Sequence, residues 1–95
     1  MVFKIIFDED SVNYTVGNRE MNLMFLRHTE EYLNQLLGTR GYVYANQIYE
    51  ELGVEWDPDA VSHNKCFKKR FYERIPMEVE ERPRGDFKIT IKTNY

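Results

Sequence analysis

The chain has little cysteine and no long apolar run, and both absences bound what it can be. Cys66 is the only cysteine among 95 residues, so no disulfide can form within the chain, which fits a reducing compartment. The longest apolar stretch, around Ile5 to Phe7, is far shorter than the roughly 20 residues of a membrane-spanning helix. The first residues also lack the apolar segment and cleavage site of a secretory signal. We therefore expect a protein of the cytoplasm that does not bind a membrane.

Residue patterns typical of catalysis and of cofactor binding are also missing. Even the two closest of the five glycines, Gly38 and Gly41, do not form a phosphate-binding loop. His63 and Cys66 have a spacing that suits a shared metal ion, but adding His28 gives only three nitrogen and sulfur ligands, one short of a closed zinc site. The same pair lacks a third group to orient a nucleophilic cysteine. We expect no enzyme activity, no catalytic residue, no cofactor, no metal and no small-molecule substrate.

Charge is unevenly distributed along the chain. Thirteen Lys and Arg against 16 Asp and Glu give a formal net charge of −3, which argues against a generally basic nucleic-acid binder. Residues 1–62 carry 4 basic and 11 acidic side chains, a charge of −7, whereas residues 63–95 carry 9 and 5, a charge of +4. The basic excess therefore lies in the C-terminal third of the chain.

The hydrophobic pattern predicts one α+β domain over residues 1–95. Alternating apolar residues predict a strand over 2–7. A polar turn follows it, and residues 12–16 are predicted to return as a second strand, giving an N-terminal β-hairpin. Apolar residues at helical spacing predict a helix from Glu20 to Leu37, with Gly38 directly past its end.

Two more helices are predicted in the middle of the chain. Residues 42–44 are predicted to be extended, and Asn46 is predicted to cap a helix that runs to Leu52. Gly53 suits the left-handed conformation that ends such a helix in a Schellman motif. Aromatic and aliphatic residues four apart predict a third helix over Ala60 to Tyr72.

The C-terminal third reads as a second β-hairpin. Apolar and charged residues alternate over 75–80 and again over 87–92, and the turn residues 82–86 join these two predicted strands. Acidic side chains line the first strand and lysines line the second, so cross-strand ion pairs are expected to use part of the basic excess. The expected fold is an N-terminal hairpin, two or three helices and a C-terminal hairpin.

Cations and aromatic residues are interleaved between positions 65 and 74. Helix, short strand, helix, basic helix and hairpin, in this order, resemble a winged-helix domain, whose last helix enters the major groove and whose wing touches phosphate. Contact with DNA would then use Lys65, Lys68, Lys69, Arg70, Arg82 and Arg84. The preceding hairpin, the net charge and the acidic loop 55–59 argue against this interpretation, because acid repels phosphate. The alternative interpretation is an amphipathic helix whose charged face is solvated.

A second resemblance covers about a third of the chain. It rests on Met24-Phe25-Leu26-Arg27, Tyr32-Leu33-Asn34, Leu36-Leu37, Arg40-Gly41-Tyr42-Val43, Asn46, Tyr49 and Leu52-Gly53. This pattern resembles a small uncharacterised protein family of phages and prophages of Gram-positive bacteria, although residues 55–59 depart from it. The resemblance implies a phage or prophage setting in a bacterial host and assigns no site residue. By association, it implies a protein that binds other proteins, in virion assembly or against a host system.

The first predicted helix supports a binding role. Met21, Leu23, Met24 and Phe25, followed by another leucine, place five large apolar side chains within six residues, which is more than one core-facing stripe needs. We predict that they contact a protein partner or a second copy of the chain. The alternative is a helix buried between two sheets. Protein binding with self-association is therefore the first hypothesis, winged-helix DNA binding the second, and mimicry of nucleic acid by the acidic segment a weaker third.

Overall fold

The computed structural model describes residues 2–55 and 66–92. The elements in chain order are β1 (Val2–Phe7), α1 (Arg19–Arg40), β2 (Tyr42–Tyr44), α2 (Ala45–Leu52), β3 (Cys66–Lys68), β4 (Met77–Glu81) and β5 (Phe87–Lys92). One antiparallel sheet has the strand order β1-β5-β4, and a second consists of β2 and β3. The predicted α+β class is confirmed. Of the helices in the described ranges, neither is both long and apolar enough to cross a membrane.

The predicted N-terminal hairpin is wrong, although β1 covers the residues predicted for its first strand. β1 pairs with β5, in a register that runs from Val2 opposite Lys92 to Phe7 opposite Phe87. This pairing places six buried apolar side chains on one face of the sheet: Phe3, Ile5, Phe7, Phe87, Ile89 and Ile91. In residues 12–16 only Tyr14 reaches the core, where its ring meets that of Phe7 edge-on, while Val12 and Val16 are exposed. The three apolar residues of β5 cover this face more completely, so the distant strand is the better partner.

The segment predicted as the second strand forms a polar loop that is attached to α1. The side chain of Asn22 is buried, its Oδ1 accepts a hydrogen bond from the N–H of Thr15 at 2.8 Å, and its Nδ2 donates to the carbonyl of Thr15 at 3.0 Å. Asn18 caps α1 by accepting a hydrogen bond from the N–H of Met21 at 3.1 Å. The N–H of Val12 donates to the carbonyl of Gly53 and that of Tyr14 to the carbonyl of Ser11, so these backbone groups are also bonded without a strand partner.

α1 lies across the inner face of the three-stranded sheet. The ring of Phe25 stacks on that of Phe7 in β1, with the ring centroids 5.4 Å apart. At the other edge of the sheet, Arg19 forms an ion pair with Glu81 in β4 at 2.8 Å, and the hydrogen bond to this carboxylate raises the pKa of Arg19. α1 thus contacts both edge strands, β1 through a ring stack and β4 through an exposed ion pair, and its opposite side is left exposed.

α1 extends three residues beyond its predicted end. Gly38 lies inside the helix, and Gly41 ends it in the left-handed conformation with φ 92°, its N–H bonded to the carbonyl of Leu37 at 3.0 Å. β2 begins at the next residue, so Gly41 sets the direction in which the chain leaves the helix. The predicted extended segment 42–44 is confirmed.

α2 ends as predicted and begins differently. Gly53 has a left-handed conformation and donates to the carbonyl of Glu50, while Val54 donates to that of Tyr49, the hydrogen bonds of a Schellman motif. The predicted cap at Asn46 is wrong, because the helix already begins at Ala45 and no side chain caps it.

The predicted third helix is wrong where the structure describes it. Cys66–Lys68 is β3, which pairs with β2. Residues 60–65 of the predicted helix lie outside the described residues. Val43 and Phe67 stand opposite each other in this strand pair, and both are buried. The predicted helix would instead turn Phe71 toward the core, whereas Phe71 is exposed.

The C-terminal hairpin is present but does not act as the wing of a winged-helix domain. β4 and β5 pair as predicted, with Gly85 at φ 92° in the turn and Lys92 3.4 Å from Glu78. The third strand of its sheet is β1, which pairs with β5. β2, the strand between the two helices, does not join this hairpin and pairs with β3. The winged-helix arrangement predicted from element order is therefore not the one adopted by the described residues.

Asn22→Ala tests whether the buried amide holds the loop in place. The substitution removes both hydrogen bonds to Thr15, and we expect the free energy of unfolding to fall by about 2 kcal/mol in urea titrations followed by circular dichroism. Asn13→Ala, at an exposed position of the same loop, is the control and should change it by less than about 0.5 kcal/mol. Equal effects of the two substitutions would contradict this role of Asn22.

Candidate functional site

α1 exposes an uncharged stripe along the side that faces away from the core. The core side is formed by Asn22, Leu26, Thr29, Leu33 and Leu37. The stripe, called here the α1 stripe, consists of Met21, Met24, His28, Tyr32, Gln35 and Thr39, all of which are exposed. Its steps of three and four residues cover 19 residues in about five helical turns, so the six side chains lie in one row. None of them is an acid, a lysine or an arginine.

The four residues predicted as a protein interface divide into two pairs. Met21 and Met24 are 54% and 57% exposed and belong to the α1 stripe. Leu23 and Phe25 are half-buried and pack against the core of their own chain. The alternative prediction, a helix buried between two sheets, does not describe these exposed methionines. Two of the four predicted residues are thus available to a partner.

Other members of the α1 stripe were not predicted to be exposed. The spacing that links Met21 to Phe25, His28, Tyr32 and Leu36 is helical and predicts a single ridge. In the structure His28 and Tyr32 are exposed, while Phe25 and Leu36 pack against the core, so the boundary of the buried face runs through this ridge. The available signal was a second row of leucines, seven and four residues apart, which gives the core-facing side most of its apolar surface: Leu26, Leu33 and Leu37.

A second surface, called here the basic groove, lies on the outer face of the β2–β3 pair. It has a volume of about 580 Å³ and is lined by Gly41, Tyr42, Tyr44, Cys66, Lys68, Lys69 and Arg70. Because side chains alternate along a strand, burial of Val43 and Phe67 turns their neighbours outward. Tyr42 therefore stands opposite Lys68 on the exposed face.

The aromatic part of the basic groove is a pair of exposed tyrosines. The rings of Tyr42 and Tyr44 are 5.7 Å apart, with an angle of 73° between their planes. The guanidinium of Arg40 lies 4.5 Å from the ring centroid of Tyr42, and it also donates hydrogen bonds to the Tyr42 carbonyl and to the side chain of Gln47. The Tyr42 ring is thus held by the Arg40 cation, and the side chains of Tyr42 and Tyr44 are both exposed.

The cationic part of the basic groove is fixed by the end of α1. The ammonium of Lys69 donates to the carbonyl of Gly38 at 3.1 Å, and its backbone N–H donates to the carbonyl of Gly41 at 2.9 Å. A cation at this position suits the negative end of the helix dipole. Within residues 2–55 and 66–92, no carboxylate oxygen lies within 4 Å of the charged nitrogens of Arg40, Lys68, Lys69 or Arg70.

The structure separates the residues predicted to contact DNA. Lys68, Lys69 and Arg70 come together in the basic groove. Arg82 and Arg84 lie in the turn of the other sheet, where Arg82 is 3.4 Å from Asp86, and Lys65 lies outside the described residues. Sequence reasoning missed Tyr42 and Tyr44 as parts of a site, although the buried Val43 between them was a signal that both side chains point outward.

The metal-ligand candidates are not brought together in the described part of the chain. His28 belongs to the α1 stripe, Cys66 is half-buried at the basic groove, and His63 lies outside the described residues. Among residues 2–55 and 66–92, no three His, Cys, Asp or Glu side chains form a group that would hold a metal ion.

Lys69→Met tests the contact between this lysine and the end of α1. Loss of the hydrogen bond to Gly38 and of the favourable interaction with the helix dipole should lower the free energy of unfolding by about 0.5–1 kcal/mol. Lys68→Met, one residue earlier and exposed on β3, is the matched control and should change it by less than about 0.5 kcal/mol. Thermal and urea unfolding measure the stability of both variants. A larger loss of stability in Lys68→Met than in Lys69→Met would contradict a stabilising contact between Lys69 and the end of α1.

Comparison of the chain with protein-family models, with curated proteins and with solved structures gives no significant match.

Proposed function

We propose that the protein is a small interaction module without catalytic activity, which binds a second copy of itself through the α1 stripe. The observation that carries the proposal is the row of six exposed, uncharged side chains on a helix whose other side is fixed to the core. Met21 and Met24 give this row an apolar end, and methionine adapts well to a contact surface. Ordinary solvated helix faces carry acids and bases at such positions.

The lack of charge favours a second copy as the partner. When a surface meets itself about a twofold axis, each side chain near the axis faces its own counterpart, so a charge there would face a like charge. The α1 stripe carries no such charge. Its rim does carry charges, with Glu20 and Glu31 beside Arg27 on α1, and these can remain in water.

The apolar end of the stripe defines the arrangement of the two helices. An antiparallel pair with its twofold axis beside Met24 brings Met24 of both copies together and places Met21 opposite His28 of the second copy. The half-buried Phe25, next to the axis, adds aromatic surface. Because each copy contributes one helix, the contact area is small, and association is expected at micromolar concentrations.

The setting in a phage or prophage and the cytoplasm of a bacterial host remain part of the proposal. They rest on the resemblance of residues 24–53 to the phage protein family, and the stripe supports only the protein-binding part. A role in assembly or against a host system would use the same exposed helix.

Met24→Glu tests the proposed contact. A carboxylate at the axis would face its counterpart in the second copy, and we expect the dimer dissociation constant to rise about tenfold or more. Gln35→Glu adds the same charge to the same helix face, 11 residues and about 16 Å away along the axis, and should leave association within about twofold of the wild type. Sedimentation equilibrium from 5 to 500 μM, concentrations chosen to bracket roughly micromolar affinity, measures both. A wild type that remains monomeric throughout would refute the proposal.

Cysteine cross-linking locates the axis independently. In a Cys66→Ser background, Met24→Cys should form a disulfide-linked dimer on mild oxidation, because facing helix positions at an axis come within the roughly 4.4–6.8 Å between Cα atoms that a disulfide spans. Tyr32→Cys is the control: it lies about 12 Å along α1 from Met24, so its two copies would be about 24 Å apart. Preferential cross-linking at position 32 would overturn the proposed geometry even if the protein is a dimer.

A further inference from the structure

We infer that the basic groove on β2 and β3 is a binding site for single-stranded nucleic acid, recognised by stacking on tyrosine and by contacts to phosphate. This inference is independent of the proposed self-association, because the groove shares no residue with the α1 stripe. It also differs from the winged-helix prediction, in which a helix reads duplex DNA.

The groove combines the two groups that single-stranded nucleic acids require. Proteins that bind single strands hold unstacked bases on aromatic faces and follow the phosphates with cations. Tyr42 and Tyr44 are 39% and 42% exposed on the same face, and Lys68, Lys69 and Arg70 line the same concavity. The Arg40 guanidinium over Tyr42 adds a fourth positive charge at this rim.

The charges favour a phosphate polymer over an apolar ligand. Four cations lie within and beside the groove. Among residues 2–55 and 66–92, no acid lines the groove and none of the four cations is neutralised by an ion pair. They remain concentrated although the whole chain is acidic, with a net charge of −3. Their backbone is held by the strand pair and by the Lys69 contacts to α1, so little ordering is required on binding.

The shape favours a single strand over a duplex. In a duplex the base faces are covered by their neighbours in the stack, so tyrosine rings on a strand surface cannot reach them, whereas single-stranded bases present these faces freely. The cations that line the groove lie on and directly after a three-residue strand. Major-groove recognition would require a helix at this surface, and no described helix lines the groove.

Fluorescence anisotropy with labelled 12-nucleotide probes tests the inference. The wild-type protein is titrated at low salt against a thymidine 12-mer, a uridine 12-mer and a duplex of the same length. At least one single strand should bind tenfold or more tightly than the duplex, and the difference between the two single strands identifies DNA or RNA as the preferred ligand. The logarithm of the binding constant should fall with the logarithm of salt concentration with a slope of about −2 to −3, which corresponds to three or four phosphate contacts.

Two pairs of variants separate the groove from general electrostatic attraction. Tyr44→Ala should weaken binding about 5- to 150-fold, the range found for loss of one base stack, whereas Tyr44→Phe keeps the ring and should bind within about twofold of the wild type. Arg70→Met should weaken binding and make the salt slope shallower by about 0.7. Arg84→Met removes an exposed cation from the hairpin turn outside the groove and should change neither.

Several results would overturn the inference. These are duplex binding as tight as single-strand binding, unchanged affinity in Tyr44→Ala, equal effects of Arg70→Met and Arg84→Met, and no binding at a protein concentration of 100 μM. An unlabelled glutamate-rich peptide is added as a competitor. If it displaces the probe as effectively as an unlabelled oligonucleotide of equal length, the groove binds an acidic protein segment instead. The two arginine variants change exposed side chains only, so their comparison holds even if Tyr44→Ala unfolds.

Discussion

β1 and β5 pair along six residues, from Val2 opposite Lys92 to Phe7 opposite Phe87, and this pairing joins the beginning of the described chain to its end. It creates the continuous apolar face against which α1 packs, and burial of that face is the main driving force available to a chain of this size. The position of α1 is therefore set by contacts between residues some 80 positions apart in sequence, not by the helix itself.

Once α1 is fixed to the sheet by one side, both candidate surfaces follow from its geometry. The side turned away from the sheet is the α1 stripe, and the C-terminal end, closed by Gly41, directs β2 so that it meets β3 and forms the basic groove. One surface is neutral and partly apolar, and the other is cationic and aromatic. These chemistries suit different partners, so the proposed second copy and the proposed nucleic acid would not compete for the same residues.

The sequence was informative wherever structure depends on neighbours along the chain. The alternation in β1, the helical spacing in α1 and the turn at Gly53 all predicted their elements, since each pattern is local. The larger errors lie at residues 12–16 and at Cys66–Lys68, whose conformations depend on contacts outside each segment: the pairing of β1 with β5 and the strand opposite Val43. The predicted end of α1 and the predicted cap at Asn46 are smaller errors, of a few residues at helix boundaries.

The same distinction applies to the candidate sites. Met21 and Met24 were predicted as interface residues because an excess of apolar residues on a helix is visible in sequence, and both are exposed in the structure. The tyrosines of the basic groove were not, because their orientation depends on which strand covers Val43.

Methionine-methyl NMR during dilution is the most direct test of self-association through α1. Between 1 mM and 10 μM, a range chosen to bracket roughly micromolar association, the resonances of Met21 and Met24 should shift with concentration. Met77, buried in the sheet of the same chain, should not shift and serves as the internal control. Constant positions of the Met21 and Met24 signals across this range would contradict a dimer built on the α1 stripe.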